Sequence, residues 1–314
     1  MSAVETPAPR LSIVSTLFGS AAFLPAFVAE CRAAARDAGV EDWELVLVND
    51  GSPDDSLAIA RAQRELDPRI VVVDLSRNFG HHAAMHAGLC HARGERVFLI
   101  DCDLEVRPAV LGVLLERLEA TGADLVYGYQ EARKGGRFER WSGGLFWRAL
   151  NAVSEVPIPE NMLTERVMTR RFVDALTSLG DHNMFLGGMM SWTGFVQIGV
   201  PLRKAQREGR SSYTVGRRLQ LMVTAVSAFS SRPLALLFHA GALIAGLASV
   251  FVAGIVVRHF WVGGSSTAAF LLAGIAVLAL GIQLMGLGLV GVYLGKVYDQ
   301  VRQRPRYIVR DIFR

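Results

Sequence analysis

The stretch Ile70–Pro108, IVVVDLSRNFGHHAAMHAGLCHARGERVFLIDCDLEVRP, decides the fold. It opens on a β-rich run, Ile70–Leu75, passes through a helical stretch, His82–His91, and enters a second β-rich run, Arg96–Ile100. Strands alternating with helices are the signature of a parallel sheet with crossover helices. The second run ends in Asp101-Cys102-Asp103, two carboxylates at a strand's C-terminal end. Open α/β sheets bind ligands at that edge.

The pattern extends in both directions. Further strands are expected at Leu11–Thr16, Glu44–Asn49 and Asp124–Tyr129, and further helices at Ala21–Ala38, Ser56–Leu66 and Ala109–Thr121. Gly39, Gly94 and Gly122 stand where helix C-caps belong. Regularity fails from Gln130 to Trp141, a charged, glycine-rich segment that reads as a mobile loop, and again from Val156 to Glu165, which holds Pro157 and Pro159.

Each strand end has a chemical reading and a plain one. Asp101 and Asp103, with Glu105 nearby, are hard oxygen ligands suited to Mg²⁺ or Mn²⁺, which bind through one or two carboxylates plus substrate phosphates. Two positions apart on a strand, both carboxylates reach one ion only if the strand bends. They are equally ordinary turn residues. Asn49-Asp50-Gly51-Ser52 is either a carboxylate facing a base or ribose, or a turn leading to a helix N-cap at Asp55 or Ser56. Ser76-Arg77-Asn78-Phe79-Gly80 ends a third strand on the same edge. His81, His82, His86 and His91 invite a zinc reading, with His82 and His86 four residues apart; helix packing competes with it. Cys31, Cys90 and Cys102 make an odd count without CxxC spacing and read as reduced thiols.

The tail of the chain is different in kind. Of the 314 residues 51% are apolar, and the excess lies in the last quarter. Leu234–Val257 and Ala268–Leu294 contain no Asp, Glu, Lys or Arg, and each exceeds the roughly 20 residues that cross a bilayer core. Arg217, Arg218 and Arg232 precede the first run. Lys296, Arg302, Arg304, Arg306, Arg310 and Arg314 follow the second, while the connecting loop 258–267 has one Arg. By the positive-inside rule both ends face the cytosol. Met1–Arg10 lacks the apolar core of a signal peptide. Anionic headgroups, rather than nucleic acid, account for the net charge of +4, because the basic residues flank the spans. His239, Gln283 and Tyr293 should face a protein partner. Gly281, Gly286, Gly288 and Gly291 allow helices to approach closely, so a homo-oligomer is expected.

The expected organisation is therefore a flexible start (1–10), an α/β domain (11–214), a juxtamembrane helix (215–233) and two transmembrane helices within 234–294 (234–257 and 268–294). A basic cytosolic tail (295–314) follows. The helix over 215–233 either lies in the membrane interface or packs on the domain.

The spacing NDGSPDDS, then LSRNFGHHAAMHAGLCHARGE, then DCDLEVRP resembles the family 2 glycosyltransferases of GT-A fold. More narrowly it resembles the polyprenyl-phosphate glycosyltransferases, the group of dolichyl-phosphate mannose synthase. Ser227–Leu234, Gly291–Tyr298 and Arg304-Pro305-Arg306-Tyr307 resemble that group's juxtamembrane and C-terminal motifs. The resemblance implies inverting, metal-dependent sugar transfer from a nucleotide diphosphate sugar to a polyprenyl phosphate at the cytosolic face of the plasma membrane. UDP is favoured over GDP on family analogy. It implies nucleotide contacts at Asp50, Ser76, Asn78 and Asp101, and a Mg²⁺ or Mn²⁺ on Asp101, Asp103 and Glu105. Catalytic roles fall to Asp101, Asp103 and Arg166, and Arg133, Arg140 and Arg166 are implied to hold the lipid phosphate.

The chain also departs from the family. Leu17-Phe18-Gly19-Ser20 replaces the usual Pro-Tyr-Asn-Glu, Glu105 stands for a Gln, Thr164 for an Asp and Gln130 for an Arg. A different lipid acceptor and a catalytically degenerate membrane scaffold remain as alternatives. A processive polysaccharide synthase fits less well, because its Gln-x-x-Arg-Trp motif is matched only by Arg137–Trp141.

Overall fold

A computed structural model describes residues 8–130, 159, 161–181, 185–202 and 267–314, with scattered positions between 239 and 261. Four strands come first: β1 (Leu11–Leu17), β2 (Trp43–Asn49), β3 (Ile70–Leu75) and β4 (Arg96–Leu99). Helices α1 (Leu24–Asp37), α2 (Ser56–Leu66) and α3 (His81–His91) connect them, and α4 (Leu111–Thr121) follows β4 through a 3₁₀ turn, Pro108–Val110. Next come β5 (Leu125–Tyr129), β6 (Met162–Thr169), α5 (Arg170–Ser178), α6 (Leu186–Trp192) and β7 (Gln197–Pro201). After them come α7 (Thr267–Val301) and β8 (Val309–Phe313).

The eight strands form one mixed sheet in the order β7-β5-β6-β4-β1-β2-β3-β8. β1 pairs in parallel with β2 and β4, and β2 with β3, so these four end at one edge. β6 runs antiparallel between β4 and β5, and β8 closes the β3 edge antiparallel. This is an α/β architecture with a mostly parallel, mixed sheet, as expected from the sequence.

Both faces of the central strands are covered, which explains their unbroken apolar runs. Ile13, Leu45, Leu47, Val72 and Phe98 pack against α1, α2 and α4 through Phe27, Val28, Ala60, Leu114 and Leu118, all buried. Val14 and Val48 on the other face meet α3, where Gly88 brings the helix close.

Several expected boundaries shift. Gly39 and Gly122 sit at helix ends in left-handed conformations, as read from sequence. Gly94 does not cap a helix: a Cβ there would stand 2.5 Å from Ser12 N, so the glycine serves the close passage of the chain past β1. The amide of Gly94 donates to Ser12 Oγ (2.7 Å), which itself donates to buried Glu44 (2.6 Å). The irregular stretch expected up to Glu165 gives way at Met162 to strand β6, whose inward face is buried between β4 and β5.

The described residues fall into two compact units. One holds the sheet with its helices and includes the tail Arg304–Arg314; the other contains α7. The tail therefore does not stay a separate basic segment, since Val309–Phe313 becomes a strand of the sheet. α7 runs for 35 residues and holds the second apolar run from end to end. Counting only residues whose side chains are described, no helix is long and apolar enough to cross a membrane. Most of the first apolar run, the juxtamembrane segment 215–233, the loop 131–141 and the stretch 151–158 lie outside the described residues.

Candidate active site

The parallel ends of β1, β2, β3 and β4 bring four loops to one edge of the sheet. The loop after β2 is the fastening point. Asp50 is buried, and its carboxylate accepts from the amides of Phe79 (2.7 Å) and Gly80 (3.0 Å) in the loop after β3. Gly51 has φ +60, and a Cβ there would lie 2.5 Å from Asn78 N and 2.6 Å from Arg77 C. Only glycine tolerates both the positive φ and the contact. Ser52 and Ser56 accept from Gly19 N (2.8 Å) and Ser20 N (3.0 Å), which ties in the loop after β1.

Asp55 is the N-cap of α2, as the sequence allowed, but its side chain makes no capping bond; the carboxylate at the helix start is that of Asp54. Its carboxylate accepts from Ser56 N (3.1 Å), Ser56 Oγ (2.5 Å), Ser52 Oγ (2.6 Å) and Ala21 N (3.0 Å). Desolvation alone would raise its pKa, but these bonds hold the carboxyl well below the usual carboxylate range. Phe18, directly after β1, is 56% exposed at this edge.

β4 ends at Leu99, and the chain then turns, with Leu104 in a left-handed conformation (φ 58). The bend that two carboxylates would need is thus present. Asp103 Oδ1 accepts from Glu105 N (3.0 Å) within the turn. Asp101 lies with its side chain 31% exposed and Oδ1 3.4 Å from His81 Nε2; His81 Nδ1 in turn is 3.1 Å from Thr16 Oγ1. Among the described residues no group of three His, Cys, Asp or Glu side chains converges, so Glu105 is not assembled with Asp101 and Asp103 into a three-ligand site. Two carboxylates at a bend, both partly exposed, still fit a divalent ion that takes its remaining ligands from a diphosphate and water.

Arg166 lies on β6, directly across from Leu99. Only 7% of it is exposed. Its Nε donates to Thr164 O (2.8 Å), and its terminal nitrogens reach Leu163 O (2.5 Å) and Met190 Sδ (2.8 Å). Burial pushes its pKa down to about 10, against the pull of Glu165 and Asp101, so it stays charged near neutrality. The resemblance implies that Arg166 grasps a lipid phosphate; the structure shows it buried, with its side chain bonded to the backbone of its own strand. Three of its five N–H groups bond within the protein, and it lies close enough to Asp101 to add positive potential there. Arg133 and Arg140 lie outside the described residues.

Ser76 and Asn78 do lie on the edge. Asn78 is exposed, while the backbone of Ser76 is held by the tail: Ser76 N donates to Ile308 O (2.9 Å), and Ser76 O accepts from Arg310 (2.6 Å). For His81 and His82 the sequence offers a zinc reading or helix packing. His81 instead faces Asp101, and His82 packs edge-on against Phe185, its Nδ1 buried without a hydrogen-bond partner. Burial, then His81 and Arg166, push the His82 pKa down to about 4. Only the order of strands could reveal the His81–Asp101 pairing, because the two residues belong to different crossovers.

The model of Glycosyl transferase family 2 matches residues 12–178, which include every strand end described above. The chain belongs to this family. Over 305 residues it is 38% identical to a protein of Mycobacterium tuberculosis named as a glycosyltransferase, covering 97% of this chain and 88% of that one. Over 308 residues it is 31% identical to the SfII prophage-derived bactoprenol glucosyl transferase of Shigella flexneri, covering 97% and 99%. Among solved structures, the mannosyltransferase PcManGT of Pyrobaculum calidifontis, in complex with GDP-Man and Mn²⁺, is 19% identical with a TM-score of 0.49, covering 95% and 87%. The family match and the curated relatives make the chain a family 2 glycosyltransferase of GT-A fold.

Proposed function

We propose that this glycosyltransferase moves a sugar from a nucleoside diphosphate sugar to a polyprenyl phosphate at the cytosolic face of the plasma membrane. The observation that carries the reading is end-to-end likeness to bactoprenol glucosyl transferases, apolar runs included. The edge chemistry supports it. Phe18, Asn78 and the Asp50–Ser52 turn would receive the nucleoside, and Asp101 and Asp103 would hold a Mg²⁺ or Mn²⁺ and with it the diphosphate. When bound, such an ion neutralises charge on the departing diphosphate.

The nucleophile needs little from the protein. A phosphate monoester has a second pKa near about 6 and is largely ionised at neutral pH. One of its oxygens bonds to the anomeric carbon as the bond from that carbon to the diphosphate oxygen breaks, inverting the centre. The acceptor needs orientation and desolvation instead, which Arg133 and Arg140 would provide. Arg166 adds fixed positive potential from within. The two apolar runs would be spans, α7 carrying the second, and both chain ends would face the cytosol. UDP-glucose is the first donor to offer, on the names of the relatives.

The test is a radiolabel assay on membranes holding the protein, with undecaprenyl phosphate, Mn²⁺ or Mg²⁺ and a panel of nucleotide sugars. A chloroform-soluble, acid-labile product is expected from one donor, and none from Asp103→Ala, which should fold normally. Turnover by Asp103→Ala would sink the mechanism. Lipid product from diacylglycerol but not from the polyprenyl phosphate would move the acceptor class.

A further inference from the structure

The C-terminal strand reaches the candidate nucleotide loop through an unbroken chain of hydrogen bonds. Arg310 of β8 donates from one terminal nitrogen to Ser76 O (2.6 Å) and from the other to Asp74 Oδ2 (3.3 Å). Asp74 is 2% exposed, and its other oxygen, Oδ1, accepts from Asn49 Nδ2 (2.7 Å). Asn49 is buried too, and its side-chain oxygen accepts from Ser52 N (3.3 Å). That bond closes the Asn49–Ser52 turn around Asp50 and Gly51. The turn then fastens the loop after β3 through the amides of Phe79 and Gly80, and Ser76, which Arg310 also holds, begins that loop.

We infer that Arg310 is a positioning residue for the nucleoside half of the donor: it sets Asp74, which orients the Asn49 amide, which shapes the turn around Asp50. The inference rests on the proposed donor site. Its physical basis is geometric. Asn49 can serve Asp74 and Ser52 together only with its amide NH₂ turned toward the carboxylate. A buried carboxylate without its arginine would also be costly to keep charged. The fork of a guanidinium spans the carbonyl of one residue and the carboxylate of another; an ammonium does not. Because β8 follows α7 after only a short turn, the last residues of the chain contribute to a site built from its first hundred.

The experiment uses the full-length protein in detergent. It measures UDP and UDP-glucose binding with Mn²⁺ calorimetrically, and KM for donor and for lipid acceptor separately. Arg310→Ala should weaken nucleotide binding about tenfold and raise the donor KM in step, with the acceptor KM unchanged. Arg310→Lys should fall between wild type and Ala, which keeps the inference testable if Arg310→Ala does not fold. Ile312→Ala, on the same strand with its side chain partly exposed, should bind nucleotide like wild type. Arg310→Ala and Asp74→Asn together should weaken binding by less than the product of their separate effects, as members of one network do.

Wild-type affinity in Arg310→Ala overturns the inference. So does equal weakening by Ile312→Ala, which would mean that the strand matters only by being attached. Multiplicative effects of the pair also overturn it. A wild-type protein that binds no nucleotide removes the proposed donor site itself, and the inference with it.

Discussion

Gly51 illustrates how little room the edge of the sheet leaves at single positions. Its φ of +60, and the 2.5 Å at which an added Cβ would meet Asn78 N, mean that any side chain strains the backbone and drives apart the loops joined by Asp50. Gly51→Ala should cost about 2–3 kcal/mol in unfolding free energy and raise the donor KM. Normal stability with a normal KM would show that the two loops move independently. At Asp103 the outcome should be opposite in kind: Asp103→Ala loses turnover while the thermal midpoint holds. The residue scale is also where sequence reading was most uneven. Asp50, Asp101 and Asp103 were legible because a carboxylate directly after an apolar run marks a strand end. The partners of those carboxylates were not. His81 lies beside Asp101 only because β4 and the start of α3 both border β1, and nothing local records that neighbourhood.

Helix α3 carries the pH dependence most open to measurement. His86 is 4% exposed, and its Nε2 accepts from Arg306 at 2.7 Å, which requires a neutral ring with the proton on Nδ1, toward Cys90 Sγ (3.5 Å). Burial first, then Arg306, push its pKa down to about 4. The unfolded chain, with a histidine near 6.5, binds the extra proton more readily than the folded one. The stability His86 contributes is therefore complete above about pH 6.5 and declines as pH falls toward 4, by roughly 3 kcal/mol across the window. Thermal midpoints of the full chain should fall over that range, and His86→Gln should flatten part of the fall. The remainder belongs to His82, shifted in the same direction. An unchanged slope in His86→Gln would mean that another group titrates. Among the elements, α2 and β3 keep the bounds read from sequence, whereas β6, β7 and β8 were not anticipated. β6 pairs antiparallel inside a mostly parallel sheet, and β8 pairs with a strand more than two hundred residues earlier. A short strand takes its identity from its neighbour, not from its own pattern.

For the whole molecule, the proposed topology sends the chain across the membrane twice and returns it to the sheet it left. A cysteine at Ser265 in a Cys90→Ser background should react with a membrane-impermeant maleimide from outside intact cells. Cys31 and Cys102, buried in the α/β unit, should stay unlabelled. Labelling at 265 only after lysis would reverse or abolish the spans. The α/β class, the carboxylates at the strand ends, the family and the apolar runs could all be read from the sequence. Each of these is written in local periodicity or in residues a few positions apart. Only the folded arrangement shows that Arg166 bonds within the protein, that His81 faces Asp101, and that the basic tail forms an edge strand anchored by Arg306 and Arg310. Those facts depend on which strands lie side by side, and the order of strands follows from burying all their faces at once rather than from any segment of the chain.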